Sequence, residues 1–317
     1  MIIYFCGGSM FEQLFTTHIK QITGLGTIEN YPMIDIEIST NMQMVADNNF
    51  LYFGFGLRRT DPVGPTADFY KYDIINKVLT KLPDSPSNPG ANGTMVKVGR
   101  LLIYSRYEVV YIFNMDTEVW TTPTWTGGSG AARYGGMAGF AFERNGKAMF
   151  VRQRPGSAAQ IQVMEYDPSA NTWGAFETFG NPETAPTAYF WGAVVNNLLY
   201  IFGIKNSLPF SLKYITLDLT TKKVTTITSD KEWPTTYTPA VVYNDEIYHT
   251  DGIVGPSPKT MYKFNPELGI DISLPVLPRE VRAAGMTLID DKIYIIGGQS
   301  TNPNVYYSDL FSYQLTE

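Results

Sequence analysis

Two histidines and one cysteine narrow the chemistry open to this 317-residue chain. His249 and Asp251 stand two apart at the end of an apolar run, and residues two apart on a strand share a face, so an acid/base pair is geometrically possible. No third group that would orient the imidazole follows nearby, and a structural histidine beside a carboxylate is the competing reading. Glu280, flanked by Arg279 and Arg282, is the other carboxylate that could move a proton. His18 has no identifiable partner. Cys6 lies in an apolar stretch and is read as a buried structural thiol. A lone cysteine excludes an internal disulfide, and so few His and Cys make a zinc site of those ligands unexpected. G-x-S-x-G, phosphate-loop and H-E-x-x-H motifs are absent from the sequence. No metal or cofactor is expected.

The elements that would position these residues repeat along the chain. Asp291–Gly298 (DKIYIIGG) is a turn, an apolar strand and a glycine pair. Related segments occur at Ile3–Gly8, Asn49–Gly56, Gly99–Arg106, Gly146–Gln153, Asn196–Ile204 and Asn244–Gly252. Aligned on the second position of the pair, Gly8, Gly56, Arg106, Gln153, Ile204, Gly252 and Gly298 are separated by 48, 50, 47, 51, 48 and 46 residues. A second, aromatic strand follows each, with polar turns such as Ile75-Asn76-Lys77 and Asp167-Pro168-Ser169. Strands before and after complete four per unit, the content of a propeller blade. With 14% aromatic residues, 28 Gly and 20 Pro, the composition suits many short strands joined by tight turns.

This pattern resembles the kelch repeat: an apolar strand ending in glycines, then a Tyr, then a Trp, which follows seven residues later in Tyr166–Trp173 and nine later in Tyr111–Trp120. The resemblance covers nearly the whole chain. It implies an all-β, kelch-type β-propeller occupying residues 1–317 as one domain, the fold of the central domain of galactose oxidase. The spacing favours seven blades. Six blades, closed by an N-terminal strand with two strands left over, is the alternative. The copper radical oxidases of this fold need two His ligands, two Tyr and a cross-linked Cys, a set that Cys6 and two histidines do not match.

Antiparallel strands place the loop after the glycine pair and the blade-to-blade loop on one face. Eight of the arginines fall there: Arg58, Arg59, Arg106, Arg133, Arg152, Arg154, Arg279 and Arg282. Arg100 and Arg144 fall in the opposite turns. Tyr134, Tyr189, Phe190, Trp191, Trp233, Tyr237, Tyr306 and Tyr307 share the arginine-bearing loops. Arg recognises carboxylates and phosphates bidentately, and Arg with aromatics forms binding hot spots. The competing reading pairs these arginines with Asp61, Glu108, Glu183, Asp251 or Glu280 and packs Trp191 between blades.

The expected function is therefore a non-enzymatic binding or scaffold module that docks an acidic segment of a partner protein. Two alternatives stand. One is an enzyme or lectin-like binder of a small acidic sugar or carboxylate, as in sialic acid mutarotases of similar fold, with Arg152, Arg154 and Arg282 as clamp and Asp251 or Glu280 as acid/base. The other is a self-associating subunit of a larger assembly. A net charge of −6 argues against general nucleic-acid binding. No apolar run approaches the ~20 residues of a membrane span, and no signal peptide is evident, so a cytoplasmic location is expected.

Overall fold

The computed structural model describes residues 26–31, 36, 38–58, 64–87, 93–106, 109–123, 139–154, 160–182, 190–204, 211–233, 238–250, 259–300 and 305–315. They form six four-stranded antiparallel sheets, one small three-stranded sheet and no helix. Blade 1 is built, from centre to rim, of Gln43–Asp47, Phe50–Gly54, Phe69–Asp73 and Val78–Leu82. Blade 2 has Thr94–Val98, Leu101–Arg106, Val109–Asn114 and Val119–Thr121. Blade 3 has Phe140–Arg144, Lys147–Gln153, Gln160–Asp167 and Thr172–Gly180. Blade 4 has Trp191–Val195, Leu198–Phe202, Ser211–Asp218 and Val224–Trp233. Blade 5 has Ala240–Tyr243, Glu246–Thr250, Thr260–Asn265 and Ile270–Val276. Blade 6 has Gly285–Ile289, Lys292–Ile296 and Leu310–Gln314, and its rim position is taken by Ile28–Asn30 from the start of the chain.

Turn chemistry explains the blades. The first hairpins of blades 3, 4 and 5 turn on Asn145-Gly146, Asn196-Asn197 and Asn244-Asp245, each pair with positive φ at both residues. Such turns match the right-handed twist of the strands they join. The third strand ends on Asp73, Asn114, Asp167, Asp218 or Asn265, whose side-chain oxygen accepts the amides two and three residues on. Four residues after each of these, Lys77, Glu118, Asn171, Lys222 and Gly269 take the left-handed conformation that turns the chain into the fourth strand.

Six hydrophobic clusters fill the six seams between neighbouring blades. The second strand of each blade is sandwiched, so successive side chains enter opposite seams: Tyr52 packs toward blade 2, while Leu51 and Phe53 pack toward blade 6. This is why these strands read as continuous apolar runs rather than alternating ones.

The repeat spacing favours seven blades; the ring has six. Its closure is direct: Met42 and Met44 of blade 1 share a cluster with Tyr294, Ile296 and Leu310 of blade 6, and Asn41 N–H donates to Ala283 O at 2.8 Å. The repeats at Gly56, Arg106, Gln153, Ile204, Gly252 and Gly298 each supply one blade. The unit at Gly8 lies outside the described residues. Repeat counting registers similarity of the second strand, whereas ring size depends on how many innermost strands close the circle. Ile28–Asn30 closes blade 6 by pairing with Tyr313, Ser312 and Phe311.

Candidate functional site

Strand direction divides the connections between a loop face, with the second-to-third and blade-to-blade connections, and a turn face with the others. Of the eight described arginines, Arg58, Arg106, Arg152, Arg154, Arg279 and Arg282 belong to the loop face, and Arg100 and Arg144 to the turn face. Arg59, Arg133, Tyr134, Tyr237 and Asp251 lie outside the described residues, as do Tyr189, Asp61, Glu108 and Glu183.

The loop-face arginines are held in different ways. Arg58 Nη2 is 2.7 Å from Asp68 Oδ2, and Asp68 also receives Thr66 Oγ1 and Lys81 Nζ. Burial alone would raise the Asp68 pKa, but the hydrogen bonds from Lys81, Thr66 and Arg58 win and pull it down to about 2. Arg279 is buried, with Nε and Nη2 each 3.0 Å from the carboxylate of Asp309, and its guanidinium lies 4.3 Å over the Tyr307 ring. Burial lowers its pKa against the pull of Asp309. Arg282 Nε is 3.6 Å from Glu280 Oε2, so the carboxylate proposed for proton transfer sits beside a cation. Arg152 is 5% exposed; its Nε and Nη2 donate to Gln162 Oε1 at 3.3 and 3.0 Å, and burial draws its pKa down to about 10. Arg154 is exposed and donates to Gln160 Oε1. Arg106, one blade away, is half-buried.

Trp233 is fully buried, which removes it from the surface contacts expected of it. It packs 4.7 Å from Phe202 and 5.4 Å from Phe264 in the seam between blades 4 and 5. Trp191 is also a seam residue, its ring centroid 4.4 Å from that of His249 with the two planes tilted by 32°. His249 is fully buried, and its partner among the described residues is Asp271 on the outermost strand, with Nε2 3.1 Å from Oδ1. Burial, with Lys231 close by, holds its pKa down to about 3, against a hydrogen bond to the Thr250 carbonyl. A neutral imidazole shut in by Trp191 and Tyr262 is placed to hold the seam rather than to meet a substrate. Asp271 is 22 residues away on a strand two positions outward, a pairing that sequence spacing does not reveal.

At the hub, a channel of about 290 Å³ runs between the six innermost strands. Each of these strands pairs on one side only, so its other backbone edge faces the channel. Asn41, Thr94 and Thr238 supply polar side chains toward the loop-face end. Lys97 is the charged residue among the described lining, and its Nζ lies 2.6 Å from Asp47. Thr238 is 7% exposed and its hydroxyl makes no hydrogen bond among the described residues. Among the described residues no three His, Cys, Asp or Glu side chains cluster as a metal site, and no helix is long and apolar enough to cross a membrane.

No family model matches the chain, and no curated protein matches it in sequence. Its structure is similar to that of YjhT, with a TM-score of 0.64 over 88% of this chain and 95% of that one at 15% identity. In all, 932 solved chains match the structure, so the likeness establishes a β-propeller and does not single out an activity.

Proposed function

We propose that the protein is a kelch-type binding module whose loop face takes an acidic segment of a partner protein. The observation that carries this reading is the division of arginines: a chain of net charge −6 places six of its eight described guanidinium groups on one face. Arg58, Arg279 and Arg282 are partly neutralised by Asp68, Asp309 and Glu280 and shape the surface. Arg154, which is exposed, and Arg106, half-buried on the neighbouring blade, are assigned to the ligand. Binding rather than catalysis fits the burial of His249 and the pairing of Glu280.

The experiment is titration with a fluorescent glutamate-rich peptide. Joint replacement of Arg106 and Arg154 by Ala should weaken binding by at least about tenfold, and added salt should weaken the wild type similarly. Unchanged affinity in a folded double variant would reject the assignment.

The channel supports a second reading, a small acidic sugar or carboxylate at the loop-face mouth. Its volume is near the lower end of ligand pockets, roughly 300 Å³, and Asn41 and Thr238 offer polar contacts there. Glucuronate competing with the peptide would place both at one site; glucuronate binding alone would favour this second reading.

A further inference from the structure

Each blade ends at the rim in a strand that bonds, among the described residues, to one neighbour only. Such an edge is a template for pairing with another molecule, and charged side chains on it oppose that pairing. Five of the six rims carry one. Lys81 on blade 1 and Glu29 on blade 6 are 53% and 44% exposed, and Glu118, 41% exposed, leads directly into the rim strand of blade 2. Glu177 on blade 3 is half-buried, and Asp230 on blade 4 is exposed.

Blade 5 differs. The charged residue within Ile270–Val276 is Asp271, whose side chain is 2% exposed and turned inward to Lys231 and His249. Glu267 lies three residues before the strand. In place of outward charges the strand presents Ile270, Ile272 and Val276, which are 50%, 47% and 67% exposed, and Leu268 in the preceding turn is 68% exposed. Four of the nine exposed large hydrophobic residues among those described thus belong to one strand and its turn.

The edge is suited to a copy of itself. An antiparallel strand can pair with its own duplicate about a two-fold axis, and any charge on it would then be brought near its twin. Here there is none on the outward face to repel. The axis has one favourable position. Centred on Asp271 it would set two carboxylates opposite each other, whereas centred on Ile272 it sets Ile272 against Ile272, Ile270 against Leu274 and Asp271 against Ser273. Ile270 and Ile272 of both copies then lie on one face of the joined sheet. Past Ser273 the register with the third strand shifts, and Pro275 has no N–H to contribute, so pairing is confined to Ile270–Leu274.

We propose that two copies of the chain associate through Ile270–Leu274 of blade 5, joining their outermost strands antiparallel about Ile272 into one continuous eight-stranded sheet. A five-residue edge covers less than the roughly 800 Å² per partner of a standard stable interface, so the dimer is reversible and depends on concentration. It leaves the arginine-bearing loop face of both copies open.

Sedimentation velocity on the full chain over a hundredfold range of concentration tests the proposal. The wild type should pass from monomer to dimer. Ile272→Lys and Ile272→Glu should each weaken association by at least about tenfold, because like charges meet on the axis. An equimolar mixture of the two should restore the dimer, a result that loss of apolar surface alone would not produce. Unchanged thermal unfolding of the dilute variants shows that the ring is intact. In the wild type, amide exchange at Ile270–Leu274 should slow as concentration rises, which reads the edge without any substitution. A monomer at every concentration, or a dimer indifferent to both variants, would overturn the proposal. Protection of these amides that persists in the dilute monomer would overturn it too, by making another part of the same chain the occupant.

Discussion

His249 Nε2 lies 3.1 Å from Asp271 Oδ1, joining the second strand of blade 5 to its fourth past the ring of Tyr262. Asp271 also pairs with Lys231 from the rim strand of blade 4, so one buried carboxylate ties two blades together. Lys231 lies 3.9 Å over the Tyr262 ring, which gives the ammonium a second contact in the same seam. Because Lys231 already balances Asp271, the imidazole can stay neutral; it then has one N–H for two acceptors, Asp271 Oδ1 at 3.1 Å from Nε2 and the Thr250 carbonyl at 3.2 Å from Nδ1.

The seam should therefore respond to acid. His249 has a folded pKa of about 3 against an ordinary value of 6.5, so the unfolded chain binds a proton across that interval and the folded chain does not. Stability should fall as the pH drops from about 6.5 toward 3, at up to about 1.4 kcal/mol per pH unit from this group. Urea unfolding at pH 7.5, 6 and 5 checks the slope. His249→Gln should flatten it, and Asp271→Ala should cost roughly 3–5 kcal/mol at pH 7.5 by stranding Lys231 and the imidazole. Equal slopes in wild type and His249→Gln would refute the neutral buried imidazole.

Asp68 governs a lower window. Its folded pKa of about 2 is below the ordinary 3.8, so its stabilisation is complete above about pH 4 and is lost as the pH falls through about 2. The difference corresponds to about 2 kcal/mol. Asp68→Asn should lose about that much at pH 7, and the gap to wild type should narrow below pH 4. Denaturant titrations at pH 7 and 3.5 measure both effects; a gap that stays constant would mean the charge of Asp68 is not what Arg58 and Lys81 recognise.

Phe55 occupies a backbone position suited to glycine. It has φ 58°, as do Gly203 at 63° and Gly297 at 64° at the matching place in blades 4 and 6. A bulky residue there costs about 1–2 kcal/mol. Its ring is fully buried, 4.5 Å from Tyr104 and 5.2 Å from Phe69. Losing such a side chain costs about 3–5 kcal/mol, so packing outweighs strain. Phe55→Gly should be destabilised by a net of about 2 kcal/mol, and Phe55→Ala by more, since it keeps the strain and loses the ring. If the Gly variant is the less stable of the two, left-handed strain is not a factor at this position.

These positions also show how far the sequence is legible. The apolar second strands, the Asn-Gly and Asn-Asn turns and the aromatic third strands are local signals, and each appears where its residues indicate. The loop-face placement of Arg58, Arg106, Arg152, Arg154, Arg279 and Arg282 follows from strand direction alone. Ring size does not, because it depends on whether Gly285–Ile289 meets Gln43–Asp47, residues more than 200 positions apart. Burial of Trp233 and the Asp271 partner of His249 depend on the seam between two blades, which no single repeat contains. A carboxylate close in sequence, such as Glu280 beside Arg282, is legible, whereas Asp309, the partner of Arg279, lies 30 residues on and meets it only through the fold.

Ring closure rests on a short clasp, and Tyr31 is its main side chain. Ile28–Asn30 contributes only three residue pairs to blade 6. Immediately after it, Tyr31 donates its amide to Leu310 O and packs its ring against Tyr72 of blade 1 and Tyr294 of blade 6, at 6.1 and 5.8 Å. Its side chain is buried, so it bridges the two ends of the ring rather than decorating the surface. Lys77 also approaches this point, 3.7 Å from Glu29 and 5.5 Å over the Tyr31 ring, but its side chain is 47% exposed. Exposed ion pairs contribute about 0–1 kcal/mol, whereas truncating a buried aromatic costs about 3–5. Tyr31→Ala should therefore lose several times more unfolding free energy than Lys77→Ala. It should also speed hydrogen exchange first at Gln43–Asp47 and Gly285–Ile289, the strands that meet at the seam. Comparable losses in the two variants would assign the clasp to the charges at Glu29 instead, and uniform acceleration around the ring would mean that the blades open together rather than from this seam.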